Sequence, residues 1–409
     1  MSHPSLPTGK NGRPLRVLMI APTSFFADYG CHVRILEESR FLRSQGCQVV
    51  VCTYAIGRDP EDLEIHRAWP VPWRVDYEVG SSKHKIAMDL LLILACFWSM
   101  LRFRPDVIHG HIHEGALIGM LMSFLFRCPL VSDLQGSLTG EMVDHHFVTV
   151  GSAAHRVFRW LEGVIDRHAG RLLTSTNLYA TLLVREFGCR QDRVTYVPDC
   201  VNTNVFAPQE RDADWWAYRR ALGIPEGRKV VVYLGLLAHY QGIDHLLRAA
   251  AMLCERRSDL HFLIAGFPNV EHYRSEAARL GIGDHCTFPG KVAYDQAPRM
   301  LGQGDVAVSP KLSATEGAGK LLNYMALGLP VVAFGTTVSR EYLGDTGLYA
   351  IAADSSDLAR CIQEALDNPA HAELGARLRA RAMERYDWSS SGGLILDAYA
   401  KQLGSQPSN

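Results

Sequence analysis

Short apolar runs alternate with amphipathic stretches along nearly the whole chain. Runs at residues 16–21, 48–54, 106–110, 129–134, 171–175 and 194–197 predict strands in the first half; 230–234, 261–265, 286–288, 305–309 and 330–334 predict more in the second. Several are continuous and β-branched, such as Val230, Val231 and Val232 running into Tyr233 and Leu234. Runs of this kind fit strands buried on both faces, hence parallel sheets covered by helices. The alternation breaks at 198–208, P-D-C-V-N-T-N-V-F-A-P, whose prolines and turn formers read as an interdomain linker. The expected fold is therefore α/β, with two Rossmann-like domains facing a central cleft. One covers residues 1–198 and the other 199–388. A last helix in 389–409, with Leu394, Ala398 and Leu403 on one side, is expected to return to the first domain.

A different pattern occupies residues 86–101, I-A-M-D-L-L-L-I-L-A-C-F-W-S-M-L, flanked by Lys83, His84 and Lys85 and by Arg102 and Arg104. It is shorter than the ~20 apolar residues a span requires and contains Asp89, so no transmembrane span is predicted. Two readings stand. One is a helix buried against a sheet, the other an interfacial helix that rests on a membrane by its apolar side and basic flanks.

Composition narrows the class. A chain of 409 residues suits two domains of about 200 residues each. With 47% hydrophobic and 21% charged residues, it has the make-up of a soluble globular protein. A net charge of −1 without a basic stripe argues against nucleic acid as a partner. Its ten cysteines form no C-x-x-C pair, and several lie in apolar runs, as Cys52 does, which suits reduced thiols in a cytosolic core. The first twelve residues are polar and lack the apolar core of a secretory signal. The expected location is the cytoplasm, or, on the interfacial reading, the inner face of a membrane.

Candidate chemistry gathers in loops that follow predicted strands. The first, 23–34, has Gly30 just before a helix; it is not G-x-G-x-x-G, so the dinucleotide fingerprint is missing. The second, H-G-H-I-H-E-G, sets His109, His111 and His113 at alternate positions, which project to one side if the segment stays extended. Metal binding there needs further ligands of compatible geometry, and a polar cluster for substrate hydroxyls or proton movement is the preferred reading. The third brings Asp133 and Gln135 to a strand end before Gly136, suited to hydroxyl recognition, with Asp133 a candidate base or helix cap. The fourth, 234–244, has Gly235 and Gly242 bracketing a loop that carries neither Arg nor Lys. The fifth is T-E-G-A-G-K, where Glu316, Gly317, Ala318, Gly319 and Lys320 fall between a strand and a helix start. Backbone N–H groups and the helix dipole favour an anion there. This is not a P-loop: Ala314 stands where its first glycine belongs, and Leu321 where Ser or Thr belongs.

Taken in order, these segments resemble the family-4 retaining glycosyltransferases of the GT-B fold. The marks are Gly30 after the opening strand, P-D-V-I-H-G-H, the linker, Y-L-G-L-L-A-H-Y-Q-G, F-P-G-K-V, D-V-A-V-S-P and E-G-A-G-K-L-L-N-Y-M-A-L-G-L-P-V-V-A. The resemblance implies a nucleotide-sugar donor held by the second domain, a hydroxyl acceptor held by the first, and no metal requirement. It places donor contacts at Gly30, Gly235, Leu236, Tyr240, Gln241, Gly317, Ala318, Gly319, Lys320 and Asn323, with Gly290 and Val292 near the base. It makes His111, His113, Asp133, Gln135 and Glu316 the candidates for acceptor orientation and catalysis.

The departures are as specific as the matches. Family members usually carry Arg and Lys where this chain has Leu236 and Gln241, and often a His where it has Gln135. The second of their two spaced glutamates falls on Asn323, and Glu316 matches the first only if one residue is deleted between them. Charge compensation by Lys320, with Lys311 as a helper, is the expected remedy. The expected activity is glycosyl transfer with retention of anomeric configuration; the alternative is an inactive GT-B-like binder of a sugar or sugar phosphate. The glycine fingerprint's absence argues against a dehydrogenase.

Overall fold

The structure is a computed structural model and describes residues 9, 12–28, 30–73, 85–144, 147–313 and 316–404. Lys83 and His84 of the basic flank, Ala314, and the end of the 389–409 segment lie outside the described residues.

Strands β1 (Arg16–Ala21), β2 (Gln48–Thr53), β3 (Glu64–Arg67), β4 (Val107–His111), β5 (Leu130–Leu134), β6 (Arg171–Thr174) and β7 (Val194–Tyr196) form the first sheet. Strands β8 (Lys229–Leu236), β9 (Leu260–Phe267), β10 (Cys286–Gly290), β11 (Val306–Ser309), β12 (Val331–Phe334) and β13 (Leu348–Ala350) form the second. Their orders are β3-β2-β1-β4-β5-β6-β7 and β10-β9-β8-β11-β12-β13, and all pairings are parallel. The central runs are buried on both faces, as Val17–Ala21 and Val230–Tyr233 show. Two strands escape the sequence pattern. β3 (E-I-H-R) and β13 (L-Y-A) are short, partly exposed edge strands, so neither needs a continuous apolar run.

Strand order reverses direction between β1 and β4 in the first sheet and between β8 and β11 in the second. Ligands of open parallel sheets bind outside the strand ends at such switch points. In this chain that places the loop after β8 beside the glycine loop after β11, and the loop after β1 beside His111 at the end of β4.

The chain crosses between the two units twice. Val201 in the linker runs parallel to Asp387, with Val201 N donating to Tyr386 O at 2.8 Å. The helix Gly393–Gly404 then packs on the first sheet, joining Ile395, Leu396 and Ala398 to the core that holds Val17 and Met19. Its buried side is set by Ile395, Leu396, Ala398 and Tyr399; of the stripe read in the sequence, Ala398 is buried and Leu394 and Leu403 lie at the partly buried margin.

The apolar run at 86–101 is the helix Lys85–Phe103, which is long and apolar enough to cross a membrane by length and composition alone. One side, Met88, Leu92, Cys96 and Met100, is buried against the first sheet.

Candidate active site

On the second domain's side, the helix Gly319–Ala326 starts directly behind the glycine loop. Lys320 is in its first turn and extends across the end of β8. Its Nζ donates to Gln241 Oε1 at 2.8 Å and to Tyr233 OH at 3.1 Å, and lies 4.4 Å from the centre of the Tyr233 ring. Tyr233 OH in turn donates to Leu236 O at 2.9 Å. Gly235 makes this crossing possible, since a Cβ there would lie 2.6 Å from Lys320 Nζ. The ammonium's pKa is held well below the ordinary lysine value, first by burial and then by the charge of Lys311. Lys311 Nζ binds Glu316 Oε2 at 2.8 Å and Gly317 O at 2.8 Å, so it shapes the glycine loop and shares its charge with a carboxylate.

The loop is pressed against the first domain and the linker. A Cβ on Gly317 would come within 2.3 Å of Asp199 Oδ2 and 3.2 Å of Ser175 Oγ, and one on Gly136 within 3.3 Å of Glu316 Cγ. Further contacts hold the two units together: Tyr294 N donates to Asp28 Oδ1 at 3.0 Å, and Tyr342 OH to Asp199 Oδ2 at 3.2 Å.

Of the remaining donor-side positions, Gly290 ends β10 at φ 81°, a left-handed conformation that glycine adopts without strain. Val292 packs on the second domain's core nearby. Tyr240 accepts Leu312 N through its carbonyl and so ties the loop after β8 to the one after β11. Ala318 is buried, and Asn323 is partly exposed on the helix Gly319–Ala326. Gly30 opens the helix Gly30–Ser44, and a Cβ there would meet no atom within 4 Å.

The first domain's wall corrects two expectations. The three histidines do not share a side. His109 and His111 stack with ring centres 4.3 Å apart, but Ile112 takes a left-handed backbone (φ 53°) and a helix begins there. His113 therefore turns away, to Asp166 Oδ1 at 3.3 Å and Tyr179 OH at 3.2 Å. Asp133 does not reach the cleft as a free base either. It is fully buried and receives Arg34 through Nε at 2.8 Å and Nη2 at 2.9 Å. Burial alone would raise its pKa, but Arg34 and His111 together hold it well below the carboxylate range. Burial lowers the pKa of His111 and of His109, and His109 shares a 2.6 Å hydrogen bond with Tyr399 OH.

Glu38, His109, His111 and Asp133 offer ligand atoms within 4.8 Å of one another, the set a metal would need. A cation already stands among them: Arg34 Nε is 3.0 Å from Glu38 Oε1, and Arg34 Nη1 is 2.9 Å from Asp199 Oδ1. The cluster is thus an internally paired strut between the helix Gly30–Ser44, β5 and the linker.

What faces the cleft instead is Gln135, whose Nε2 is 3.4 Å from Asp133 Oδ2, with Cys31 beside it. Glu141, exposed at its surface, joins them; desolvation among the surrounding groups, and the carboxylates of Glu316 and Glu114, push its pKa up. Glu114 pairs with Lys85. The sequence reading missed Arg34, Asp199, Glu141 and the Lys85–Glu114 pair. All of them lie in or beside segments read above, and no local spacing set them apart as site residues.

Comparisons with known proteins agree across the chain. Residues 29–200 match the family model described as glycosyl transferase 4-like domain, and residues 214–385 match glycosyl transferases group 1. A D-inositol 3-phosphate glycosyltransferase of Acidothermus cellulolyticus is 30% identical, over 95% of this chain and 91% of the relative. A 2-deoxystreptamine glucosyltransferase of Streptomyces kanamyceticus is 28% identical, over 91% and 99%. Among solved structures, sucrose-phosphate synthase of Thermosynechococcus elongatus superposes with TM-score 0.80 at 19% identity, over 96% of this chain and 100% of that one. HepE of Anabaena in complex with UDP-glucose does so with TM-score 0.74 at 18%, with the same coverage. With the two-domain parallel architecture and the glycine loop at the second switch point, these matches place the chain in family 4 of the GT-B glycosyltransferases.

Proposed function

We propose that the enzyme takes a sugar from a nucleotide-sugar donor held by the second domain and passes it, with retained anomeric configuration, to a hydroxyl acceptor at the first domain's wall. The observation that carries this reading is the position of Lys320. Its ammonium touches the end of Gln241, which by the family resemblance stands where a lysine is usual, and so returns a cation to the place where a diphosphate needs one. A charge-assisted contact of this kind contributes about 1.5–3 kcal/mol. The start of the helix Gly319–Ala326 adds its dipole.

In the reaction, the bond from the anomeric carbon to the diphosphate oxygen breaks as the acceptor oxygen bonds to that carbon on the same face, and the acceptor proton passes to the departing phosphate. Lys320 and the backbone of the glycine loop stabilise the negative charge that develops on the leaving group. Gln135 and Glu141 are placed to hold acceptor hydroxyls. No residue role in this scheme calls for a metal. UDP-glucose bound to HepE and the hydroxyl-bearing cyclitols in the relatives' names, D-inositol 3-phosphate and 2-deoxystreptamine, are consistent with this class of donor and acceptor.

A panel of UDP-, GDP- and ADP-sugars, followed by nucleotide release and by NMR of the anomeric proton in the product, tests the reading. Release of one nucleoside diphosphate with retained configuration is expected. Inversion, or silence across the panel together with no thermal stabilisation by any of the nucleotides, contradicts it.

A further inference from the structure

The outer face of the first domain is unusual for a helix-covered sheet. In the helix Lys85–Phe103, the side opposite the buried one should be polar if water covers it. It carries Ile86, Leu90, Leu94, Trp98 and Leu101 instead, spaced as one helical stripe, with Ile86 73% exposed. The neighbouring helix Ile112–Phe126 repeats the pattern with Leu117, Leu121, Phe124 and Leu125, and Phe124 is 82% exposed. Phe97 and Phe126, with ring centres 5.3 Å apart, join the two stripes into one surface. The helix Ala153–His168 extends it with Val157 and Trp160, the latter 65% exposed. A continuous apolar area of this extent exceeds what scattered surface residues account for.

Charge selects the occupant. The first two helices precede the adjacent parallel strands β4 and β5, so they run in the same direction and end together, away from the cleft. Arg102, Arg104 and Arg127 are exposed at that common end, and Arg156 on the third helix. The acids on the first two helices are spent internally: Tyr54 OH donates to Asp89 Oδ1 at 2.5 Å, and Glu114 pairs with Lys85. An apolar face rimmed by arginines, with its own acids engaged, suits anionic headgroups over acyl chains. A second copy of the same face would offer those arginines no free carboxylate from the first two helices, since Asp89 and Glu114 are already engaged. At the cleft end of the helix Lys85–Phe103, Tyr54, Trp69, Trp73 and Met88 line an apolar cavity of about 110 Å³. Trp69 and Trp73 are exposed there, as interfacial tryptophans are.

We infer that this three-helix face docks the enzyme on an anionic lipid bilayer, lying on the surface without crossing it. The inference does not rest on the donor proposal, and nucleotide binding in solution reads that proposal separately.

The test uses the full chain with phosphatidylcholine vesicles, with and without phosphatidylglycerol, in a sedimentation assay, with Trp emission as a second readout. Binding to the anionic vesicles is expected, with a blue shift, weakening as salt rises. The double variant Leu94→Gln/Phe124→Gln, changed only at exposed positions, should lose at least about tenfold in partitioning. Arg102→Gln and Arg127→Gln should each lose about fivefold. UDP binding measured without vesicles should not change in any of them. Failure to bind either vesicle overturns the inference, as does equal binding to neutral and anionic vesicles. So does a dimer in solution that the Leu94→Gln/Phe124→Gln variant dissociates, which would assign the face to self-association.

Discussion

Arg34 in the first domain is surrounded by carboxylates, with Asp133 at 2.8 Å and Asp199 at 2.9 Å. Lys320, across the cleft, bonds to an amide and a phenol and is repelled by Lys311. Arg34 is buried and Lys320 half-buried, yet only Arg34 pairs directly with carboxylates. On the proposed function, the difference separates a structural cation from one that awaits a ligand. A buried ion pair that is already complete holds parts together and leaves little for an incoming anion. An ammonium whose pKa is depressed gains most when a phosphate arrives, because the phosphate supplies the missing counter-charge.

The largest effect that would break this contrast is on stability. Removing the Arg34 guanidinium leaves Asp133 buried without its partner, and loss of one member of a buried pair costs about 3–5 kcal/mol. Arg34→Met should therefore destabilise the first domain by that amount in urea denaturation, while Lys320→Met should not destabilise the chain. A loss under about 1 kcal/mol for Arg34→Met would mean the cluster is solvated and the contrast false.

Next in size is the contact that brings the walls together. Ala in place of Gly317 would put its Cβ 2.3 Å from Asp199 Oδ2. Overpacking of this kind costs about 1–3 kcal/mol, so affinity for a nucleoside diphosphate should fall about tenfold or more. Unchanged affinity in calorimetry would show that the loop binds without closing on the linker.

A smaller effect sharpens the comparison through protons. Free Lys320 has its pKa lowered by burial and Lys311. A bound diphosphate raises it, so binding takes up protons between the free and bound values and tightens as pH falls through that window. Calorimetry near neutral pH and above, in buffers of different ionisation enthalpy, should show an uptake of less than one proton that Lys320→Met abolishes. Buffer-independent heats would contradict it. Asp133 has the opposite sign. Its pKa lies below the ordinary carboxylate value, so the stability it contributes is present above that value and is lost only as pH falls towards the lower, folded-state one.

The strands in the middle of each sheet were legible because burial on both faces forces continuous apolar runs, as in V-V-V-Y-L. The edge strands β3 and β13 were not, because a partly exposed strand of three or four residues needs no such run. On the donor side, G-A-G-K announced itself: glycines before a helix with a lysine in its first turn are a local signal. Arg34 gave none. Its partners Asp133 and Asp199 lie 99 and 165 residues away, and in the sequence it is one charged residue on an amphipathic helix. The histidine triplet misled for a local reason, since alternation holds only as far as His111, and Ile112 turns the chain into a helix. The apolar run at 86–101 supported two readings because both describe it. One side of the helix is core, and the other is the exposed stripe.

Donor binding as proposed requires Lys320 to supply the diphosphate cation from beside Gln241. Titration of UDP and GDP into the wild type, Lys320→Met and the double variant Lys320→Met/Gln241→Lys tests this most directly. Lys320→Met should weaken the preferred nucleotide about 10- to 100-fold, the equivalent of one charge-assisted contact. Lysine at 241, one atom longer than a glutamine whose Oε1 lies 2.8 Å from Lys320 Nζ, should restore most of that loss. Wild-type affinity in Lys320→Met, or a loss that Gln241→Lys fails to recover, would contradict the account.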